Sequence, residues 1–162
     1  VLYLEYKSLF IELDFQGIYR LAADGKLQLL NKELGRPNGL AFSPDEKTLY
    51  ISVSDPKLAI WMAYDVKPDG TIANGRIFFN ATDKVREGNG LPDGLKLDKQ
   101  GNLFATGPGG VFVFTREGKH LGTIDTGQPT GNCAWGDDGA TLYIMANHYL
   151  SRIKTSTVGN GF

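Results

Sequence analysis

Short apolar runs alternate with polar turn clusters at nearly regular spacing from Gly17 onward. The runs lie at residues 18–21, 27–30, 40–42, 49–53, 60–66, 75–79, 95–97, 103–106, 111–114, 123–124, 133–135, 142–145 and 150–153. Short runs bounded by turn residues are typical of β-strands. No window of about ten residues sustains a helical apolar period of about 3.6 residues, so we predict almost no helix.

The turns between these runs repeat one local chemistry, in which an acidic or amide side chain precedes glycine. They lie at Asp24-Gly25, Asp69-Gly70, Gln100-Gly101, Glu117-Gly118 and Asp138-Gly139, with Asp45-Glu46 as a variant. Glycine adopts a positive φ without steric cost, and an Asp side chain accepts a hydrogen bond from its own backbone. We therefore predict successive antiparallel hairpins.

The segment 1–13 is rich in apolar and aromatic residues, which favours a strand, although its charges leave a helix open. It lacks the basic start, the unbroken apolar stretch and the cleavage site of a signal peptide. The longest apolar run, Leu58 to Tyr64, is far shorter than the roughly 18 to 20 residues of a membrane helix. We therefore expect a soluble protein of the cytoplasm with no membrane partner.

The composition describes one globular chain of 162 residues with 41% hydrophobic content and a net charge of -1. Lysine and arginine are scattered and form no basic stripe, so we expect no nucleic-acid partner. The single cysteine, Cys133, excludes an intrachain disulfide and does not reveal the compartment. We interpret Cys133 as a small core hydrophobe.

One stretch organises the chain because it recurs. Residues 36–45 begin with Arg-Pro-Asn-Gly-Leu, and residues 91–98 return as Leu-Pro-Asp-Gly-Leu-Lys-Leu-Asp. Each copy opens a unit of four predicted strands, at about 38–79 and 93–124, and a third copy starts at Pro129. Repeated four-stranded units of about 40 residues are typical of a β-propeller, which we favour over a β-sandwich.

These motifs resemble the gluconolactonase, or senescence marker protein 30 (regucalcin), family of six-bladed β-propellers. The resemblance rests on residues 37–45, 91–104, 109–114, 122–124 and 141–144, and covers about residues 14–155. Residues 1–13 are unmatched. It implies an all-β fold, with 1–162 forming a single partial propeller domain of about three blades. By our count, these are two strands of one blade, two full blades and three strands of a last one.

The resemblance implies a metal-dependent hydrolase of sugar lactones. It assigns Asn38 and Asp93 as ligands of a divalent ion, for which Ca²⁺ is expected and Zn²⁺ or Mg²⁺ are alternatives. Asp93 would also act as general base, while the ion polarises the carbonyl of a small-molecule lactone and activates water. Carboxylate and amide oxygens suit such an ion. From the residues alone, Asn-Gly and Asp-Gly are also simple turn dipeptides.

Weaker candidates surround these two. Asn132, His148 and Ser52 are predicted to line a substrate cavity, with Asp55 as a further neighbour of Asn38. We expect an exposed position for His120, and blade packing for Trp61 and Trp135. The serine nucleophile elbow, the zinc-protease motif and the phosphate loop are all missing from the sequence, which disfavours covalent serine chemistry.

The family resemblance leaves half of a six-bladed ring unaccounted for. Three hypotheses follow: a fragment of a longer protein, a homodimer in which two copies close the ring, or an open noncatalytic module that binds a partner through its edges. A metal-dependent esterase or phosphotriesterase on the same fold is a further functional alternative.

Overall fold

The computed structural model describes residues 2–6, as backbone, and residues 14–162 with their side chains. Its strands are β1 (Leu2–Tyr6), β2 (Gly17–Leu21), β3 (Leu27–Asn31), β4 (Pro37–Phe42), β5 (Thr48–Asp55), β6 (Leu58–Val66), β7 (Ile72–Asn80), β8 (Leu95–Leu97), β9 (Leu103–Gly107), β10 (Gly110–Phe114), β11 (His120–Asp125), β12 (Thr130–Gly136), β13 (Thr141–Ala146) and β14 (Tyr149–Lys154). In this part of the chain the single helical element is a 3-10 turn, Thr82–Lys84, and no helix is long and apolar enough to cross a bilayer.

The strands form four antiparallel sheets in chain order. Sheet 1 contains β1–β3, sheet 2 contains β4–β7, sheet 3 contains β8–β11 and sheet 4 contains β12–β14. The first strands of consecutive sheets, β1, β4, β8 and β12, lie next to one another. Sheets that meet through their first strands are arranged around a common axis, so the predicted β-propeller architecture is confirmed.

Every predicted apolar run overlaps a strand, and the prediction of almost no helix is confirmed for the described residues. Sheet 1 differs from the expected count, since it has three strands rather than two. The extra strand is β1, which pairs with β2 from Leu2↔Leu21 to Tyr6↔Gly17. Residues 1 and 7–13 of the proposed N-terminal strand lie outside the described residues.

The strand count bears on the homodimer hypothesis. The described strands exceed the expected count by β1 alone, since two three-stranded sheets flank two complete four-stranded sheets. This is still about half of a six-bladed ring of four-stranded sheets, so closure of the ring by a second copy stays a hypothesis.

Aromatic side chains fill the space between sheets 2 and 3. Trp61 is fully buried, and its ring lies 5.3 Å from that of Phe112 and 5.7 Å from that of Phe114 between centroids. Phe79 completes the cluster at 4.8 Å from Phe114. Because large rings bury much apolar area, this cluster holds the two complete sheets together.

Sheets 3 and 4 are joined by a smaller core and by the C-terminal segment. Phe104 and Trp135 meet edge to face at 4.9 Å. The indole of Trp135 donates to the carbonyl of Leu97 at 2.9 Å, and the backbone N–H of Asn160 donates to the same oxygen at 2.9 Å. The buried carboxylate of Asp98 accepts a further hydrogen bond from Thr157 at 2.8 Å. Residues after β14 thus return to sheet 3.

Candidate functional site

The repeated Pro-Asx-Gly stretch forms an irregular entry to an inner strand. Along β4, Pro37 pairs with Val53 and Leu40 pairs with Ile51, so two residues of β4 face one residue of β5. The two are Asn38 and Gly39. A β-bulge of this kind bends the strand and re-aims the side chain it carries. Asn38 is therefore more than a hairpin-turn residue, because it lies at the entry to β4 and not in a loop that connects two paired strands.

The third copy has the same irregularity without the side chain. Along β12, Thr130 pairs with Ala146 and Asn132 pairs with Met145, which leaves Gly131 as the bulged residue. A Cβ placed on Gly131 would lie 3.7 Å from Oδ2 of Asp93. The position that holds an amide in the first copy therefore carries no side chain next to the carboxylate of Asp93.

Glycines allow the inner strands to approach one another at these entries. A Cβ on Gly39 would overlap the carbonyl oxygen of Asp93, and a Cβ on Gly94 would overlap the side-chain amide of Asn132. The glycine that follows each Asx residue is thus required by a close contact between neighbouring sheets. This packing brings the entry of β4 directly against Asp93, and the segment around Asp93 against Asn132.

Two serines of β5 reach across from sheet 2 to the segment that carries Asp93. The hydroxyl of Ser52 donates to the main-chain carbonyl of Asp93 at 2.5 Å, and the hydroxyl of Ser54 donates to the carbonyl of Pro92. The side-chain amide of Asn38 donates from Nδ2 to Oγ of Ser54 at 2.9 Å. We call Ser52 and Ser54 the serine pair. Through it, Asn38 and the backbone on both sides of the Pro92–Asp93 peptide share one hydrogen-bonded unit.

The backbone around Asp93 is also held by sheets 3 and 4. The N–H of Asp93 donates to the carbonyl of Thr106 at 3.0 Å, and the buried hydroxyl of Thr106 donates to the carbonyl of Gly94 at 2.8 Å. The N–H of Gly94 donates to the carbonyl of Gly131 at 2.9 Å. With the serine pair, three sheets fix the main chain from which the half-buried Asp93 side chain projects.

Asn132 and His148 lie near the same end of the sheets. Asn132 is exposed, packs against Gly94, and accepts a hydrogen bond from the N–H of Cys133 at 2.9 Å. His148 is exposed in the loop between β13 and β14, and its ring lies 4.4 Å from that of Tyr149. Asn132 is therefore directly beside the Asp93 segment, whereas the contact of His148 is with its own neighbour in sheet 4.

Ser52 and Asp55 have local partners that define what they do. Ser52 is fully buried, so its hydroxyl positions the Asp93 backbone and is not presented to a bound molecule as a cavity-lining group. Asp55 accepts the N–H of Lys57 at 2.9 Å, which is the hydrogen bond of a turn between β5 and β6.

The expected packing residues behave as predicted. Trp61 and Trp135 are buried in the two cores. His120 is exposed, although its ring lies 5.2 Å from that of Phe114 between centroids. Cys133 is buried, and burial raises the pKa of its thiol to about 12. A thiol with so high a pKa remains protonated at neutral pH and is a poor nucleophile.

The residue types at this site suit a hard cation. Asn38 and Asp93 supply an amide oxygen and carboxylate oxygens, which Ca²⁺ and Mg²⁺ prefer. Among residues 14–162, no group of three or more His, Cys, Asp or Glu side chains is arranged to hold a metal ion. Gly131 places no side chain next to the carboxylate of Asp93, and Nδ2 of Asn38 is directed to Ser54. These donors fit an oxygen-ligated ion better than a zinc site of His and Cys.

Sequence reasoning missed Ser54 and Thr106. Both are buried hydroxyls that hold the Asp93 segment. A signal was available in β5, where Ser52 and Ser54 interrupt an apolar run at a spacing of two and so lie on one face. Buried hydroxyls require acceptors, and the acceptors belong to the next repeat.

The chain matches known proteins along most of its length. The family described as SMP-30/Gluconolactonase/LRE-like region matches residues 7–148. The match thus begins seven residues before the expected start at residue 14 and ends before the expected end at residue 155. A gluconolactonase of Zymomonas mobilis is 42% identical over 152 residues, which are 91% of this chain and 43% of that protein. A pentonolactonase of Haloferax volcanii is 29% identical over 78% of this chain and 43% of its own length. The chain thus spans less than half of these relatives.

Solved structures are also similar to this chain over most of its length. A gluconolactonase from Xanthomonas campestris superimposes with a TM-score of 0.75 at 35% identity, covering 88% of this chain and 46% of that one. A calcium-binding regucalcin from Agrobacterium tumefaciens shares the fold at 22% identity with a TM-score of 0.70, over 91% of this chain and 54% of its own. With its repeated strand entries and its propeller sheets, the chain belongs to the SMP-30/gluconolactonase family.

Proposed function

We propose that this chain contributes a divalent-cation site to a hydrolase of sugar lactones, with Asn38 and Asp93 as protein ligands and Asp93 as general base. One observation carries the proposal. Asn38 and the Pro92–Asp93 peptide are joined through Ser54, so the amide of one repeat and the backbone that carries the carboxylate of the next belong to one hydrogen-bonded unit. The oxygen-rich donor types favour Ca²⁺, with Mg²⁺ as the nearest alternative.

The lactone class is supported by the relatives, which include a gluconolactonase and a pentonolactonase. When bound, a divalent cation supplies Lewis-acid polarisation of the lactone carbonyl and lowers the pKa of water. The residues of this chain supply orientation and proton transfer. A site built on inner strands of rigid sheets holds its groups more accurately than one built on loops.

Asp93 has the chemistry of a general base here. Its carboxylate accepts a proton from the water that adds to the lactone carbonyl carbon, and returns it to the ring oxygen as the ring C–O bond breaks. One lactone and one water give one hydroxy acid. Ser52 and Ser54 donate to the main-chain carbonyls of Asp93 and Pro92. They therefore orient the Asp93 side chain without occupying its carboxylate oxygens. We extend the proposal to Asn132, an exposed amide that packs against Gly94, as a group that contacts the hydroxyls of a sugar lactone.

The test is a pH-stat assay of hydrolysis of glucono- and pentonolactones, an aryl ester and a phosphotriester, corrected for spontaneous hydrolysis. Lactone hydrolysis that is removed by a chelator and restored by Ca²⁺ supports the proposal. The Asp93→Asn variant should lose about 10²-fold or more of the rate, as expected for removal of a general base. Hydrolysis of the ester or phosphotriester alone would indicate the alternative enzymes. No turnover of any substrate above background would favour a noncatalytic module.

A further inference from the structure

We propose that Ser54 is a positioning residue that fixes which end of the Asn38 side-chain amide faces the cation site. The inference rests on the proposed function, because it concerns the orientation of a metal ligand. Ser54 is 7% exposed and contacts two partners, the carbonyl of Pro92 and the amide of Asn38.

The proton of Ser54 has one possible destination. The carbonyl oxygen of Pro92 only accepts hydrogen bonds, so the contact between it and Ser54 requires the hydroxyl proton. A hydroxyl has a single proton to donate. Once it is directed to Pro92, the oxygen of Ser54 can only accept from its second partner.

The second partner must therefore present a donor. Nδ2 of Asn38 lies 2.9 Å from Oγ of Ser54 and donates to it. The flipped amide would place Oδ1 against Oγ, and two acceptors would then meet without a proton between them. Such a contact between partly buried groups is costly. The Pro92 carbonyl thus selects the amide orientation of Asn38 through Ser54.

The selected orientation leaves the oxygen of Asn38 available. Within residues 14–162, Oδ1 of Asn38 accepts no hydrogen bond, while Nδ2 is committed to Ser54. A cation requires the oxygen and is repelled by the amide hydrogens. Outer hydrogen bonds that orient a ligand typically change metal affinity by about 10- to 100-fold when they are removed. Ser54 should therefore lower the cost of binding by holding the amide in the productive orientation before the ion arrives.

Ser54 also couples the two ligands. Its hydroxyl contacts the peptide that immediately precedes Asp93, and its neighbour Ser52 donates to the carbonyl of Asp93 itself. Both serines lie on one face of β5, whose residues 49–54 are buried. Loss of Ser54 should accordingly disturb Asn38 first and the Asp93 segment second.

The experiment compares the wild-type chain with Ser54→Ala, Ser54→Cys and the matched control Ser151→Ala. Ser151 is an exposed serine of β14 far along the chain, and its loss controls for removal of a hydroxyl from a strand. Ser54→Cys keeps the side-chain size with a much weaker hydrogen-bonding group, so it serves where Ser54→Ala fails to fold. Far-UV circular dichroism identifies variants that fold.

Two readouts are measured. In ¹H–¹⁵N NMR spectra without metal, one Nδ2 proton of Asn38, assigned with an Asn38→Ala variant, should exchange slowly in the wild type and in Ser151→Ala. This protection should be lost when Ser54 is replaced. In calorimetric titrations with Ca²⁺, affinity should fall about 10- to 100-fold in the Ser54 variants and stay unchanged in Ser151→Ala.

The inference is overturned if the Ser54 variants keep the protected Asn38 proton, or if they bind Ca²⁺ as tightly as the wild type does. If the wild type binds no divalent ion, the proposed metal site fails. The NMR measurement then still decides whether Ser54 orients the Asn38 amide, so the two failures are distinguishable.

Discussion

The hydroxyl of Ser52 in sheet 2 donates a hydrogen bond of 2.5 Å to the main-chain carbonyl of Asp93 at the entry to sheet 3. Ser52 is fully buried, and the two residues are 41 positions apart in the chain. A side chain of one repeat thereby supports the backbone of the next at the point where the proposed catalytic carboxylate emerges. This contact between sheets 2 and 3 consequently also positions the Asp93 side chain.

Replacement of Ser52 by alanine should weaken this link. The Ser52→Ala variant loses a buried hydrogen bond, which typically contributes about 1 kcal/mol to the free energy of unfolding. Urea denaturation followed by tryptophan fluorescence measures the change. Ser151→Ala, which removes an exposed hydroxyl from β14, should unfold like the wild type. Equal stability of Ser52→Ala and Ser151→Ala would contradict the inter-sheet role of Ser52.

The close approach of β4 and the Asp93 segment leaves no room for a side chain at Gly39. A Cβ at this position would overlap the carbonyl oxygen of Asp93, so Gly39→Ala requires the backbone of two sheets to separate. We expect a loss of about 1–3 kcal/mol in the free energy of unfolding, as for overpacked cores. Thermal and urea denaturation provide the measurement.

Gly122→Ala is the matched control for this substitution. Gly122 also lies in a strand, but a Cβ there would meet no atom within 4 Å. The control should be as stable as the wild type. A Gly39→Ala variant that matches Gly122→Ala in stability would show that the inner strands do not make the contact described.

The fold was predictable because the apolar runs and turn residues of each repeat indicate its strands and turns locally. The apolar runs, the glycine turns and the recurring Pro-Asx-Gly entry together indicate four-stranded sheets around an axis, and the structure has them. The positions of Asn38 and Asp93 at strand entries followed from comparison of the copies. The pairing of β1 within sheet 1 was not predicted, because the segment 1–13 carries no copy of the repeat from which that pairing could be inferred.

The contacts between repeats were not predictable in the same way. Ser54 contacts a residue 38 positions away, and Asp98 contacts Thr157 at a separation of 59. Pattern and propensity describe neighbours in the chain, whereas these partners are set by how one sheet packs on the next. Ser52 was identified as a neighbour of Asn38, but its burial, and so its positioning role, depended on that packing.

The buried thiol of Cys133 predicts a dependence of stability on alkaline pH. The folded thiol has a pKa raised by burial to about 12, against the ordinary 9.0. Between these values the unfolded chain has lost the proton that the folded chain retains. The unfolded state then binds fewer protons, so the contribution of this group to stability is complete below pH 9 and declines as pH rises toward 12.

The measurement compares the wild type with Cys133→Ala by urea denaturation at several pH values. The stability difference between the two should move against the wild type as pH rises above the ordinary thiol pKa of 9.0. Other alkaline titrations are common to both proteins and cancel. Iodoacetamide should also label Cys133 only after denaturation, whereas rapid labelling of the native chain would contradict its burial.

The most direct test of the cation site is calorimetric titration of the chain with Ca²⁺. The wild type should bind about one ion, held in part by Asn38 and Asp93, because amide and carboxylate oxygens are the ligands this ion prefers. Asp93→Asn should lose measurable binding. Asp138→Asn should retain it, since Asp138 is an exposed turn residue paired with Lys154. Binding by the Asp93→Asn variant with the affinity of the wild type would contradict the site.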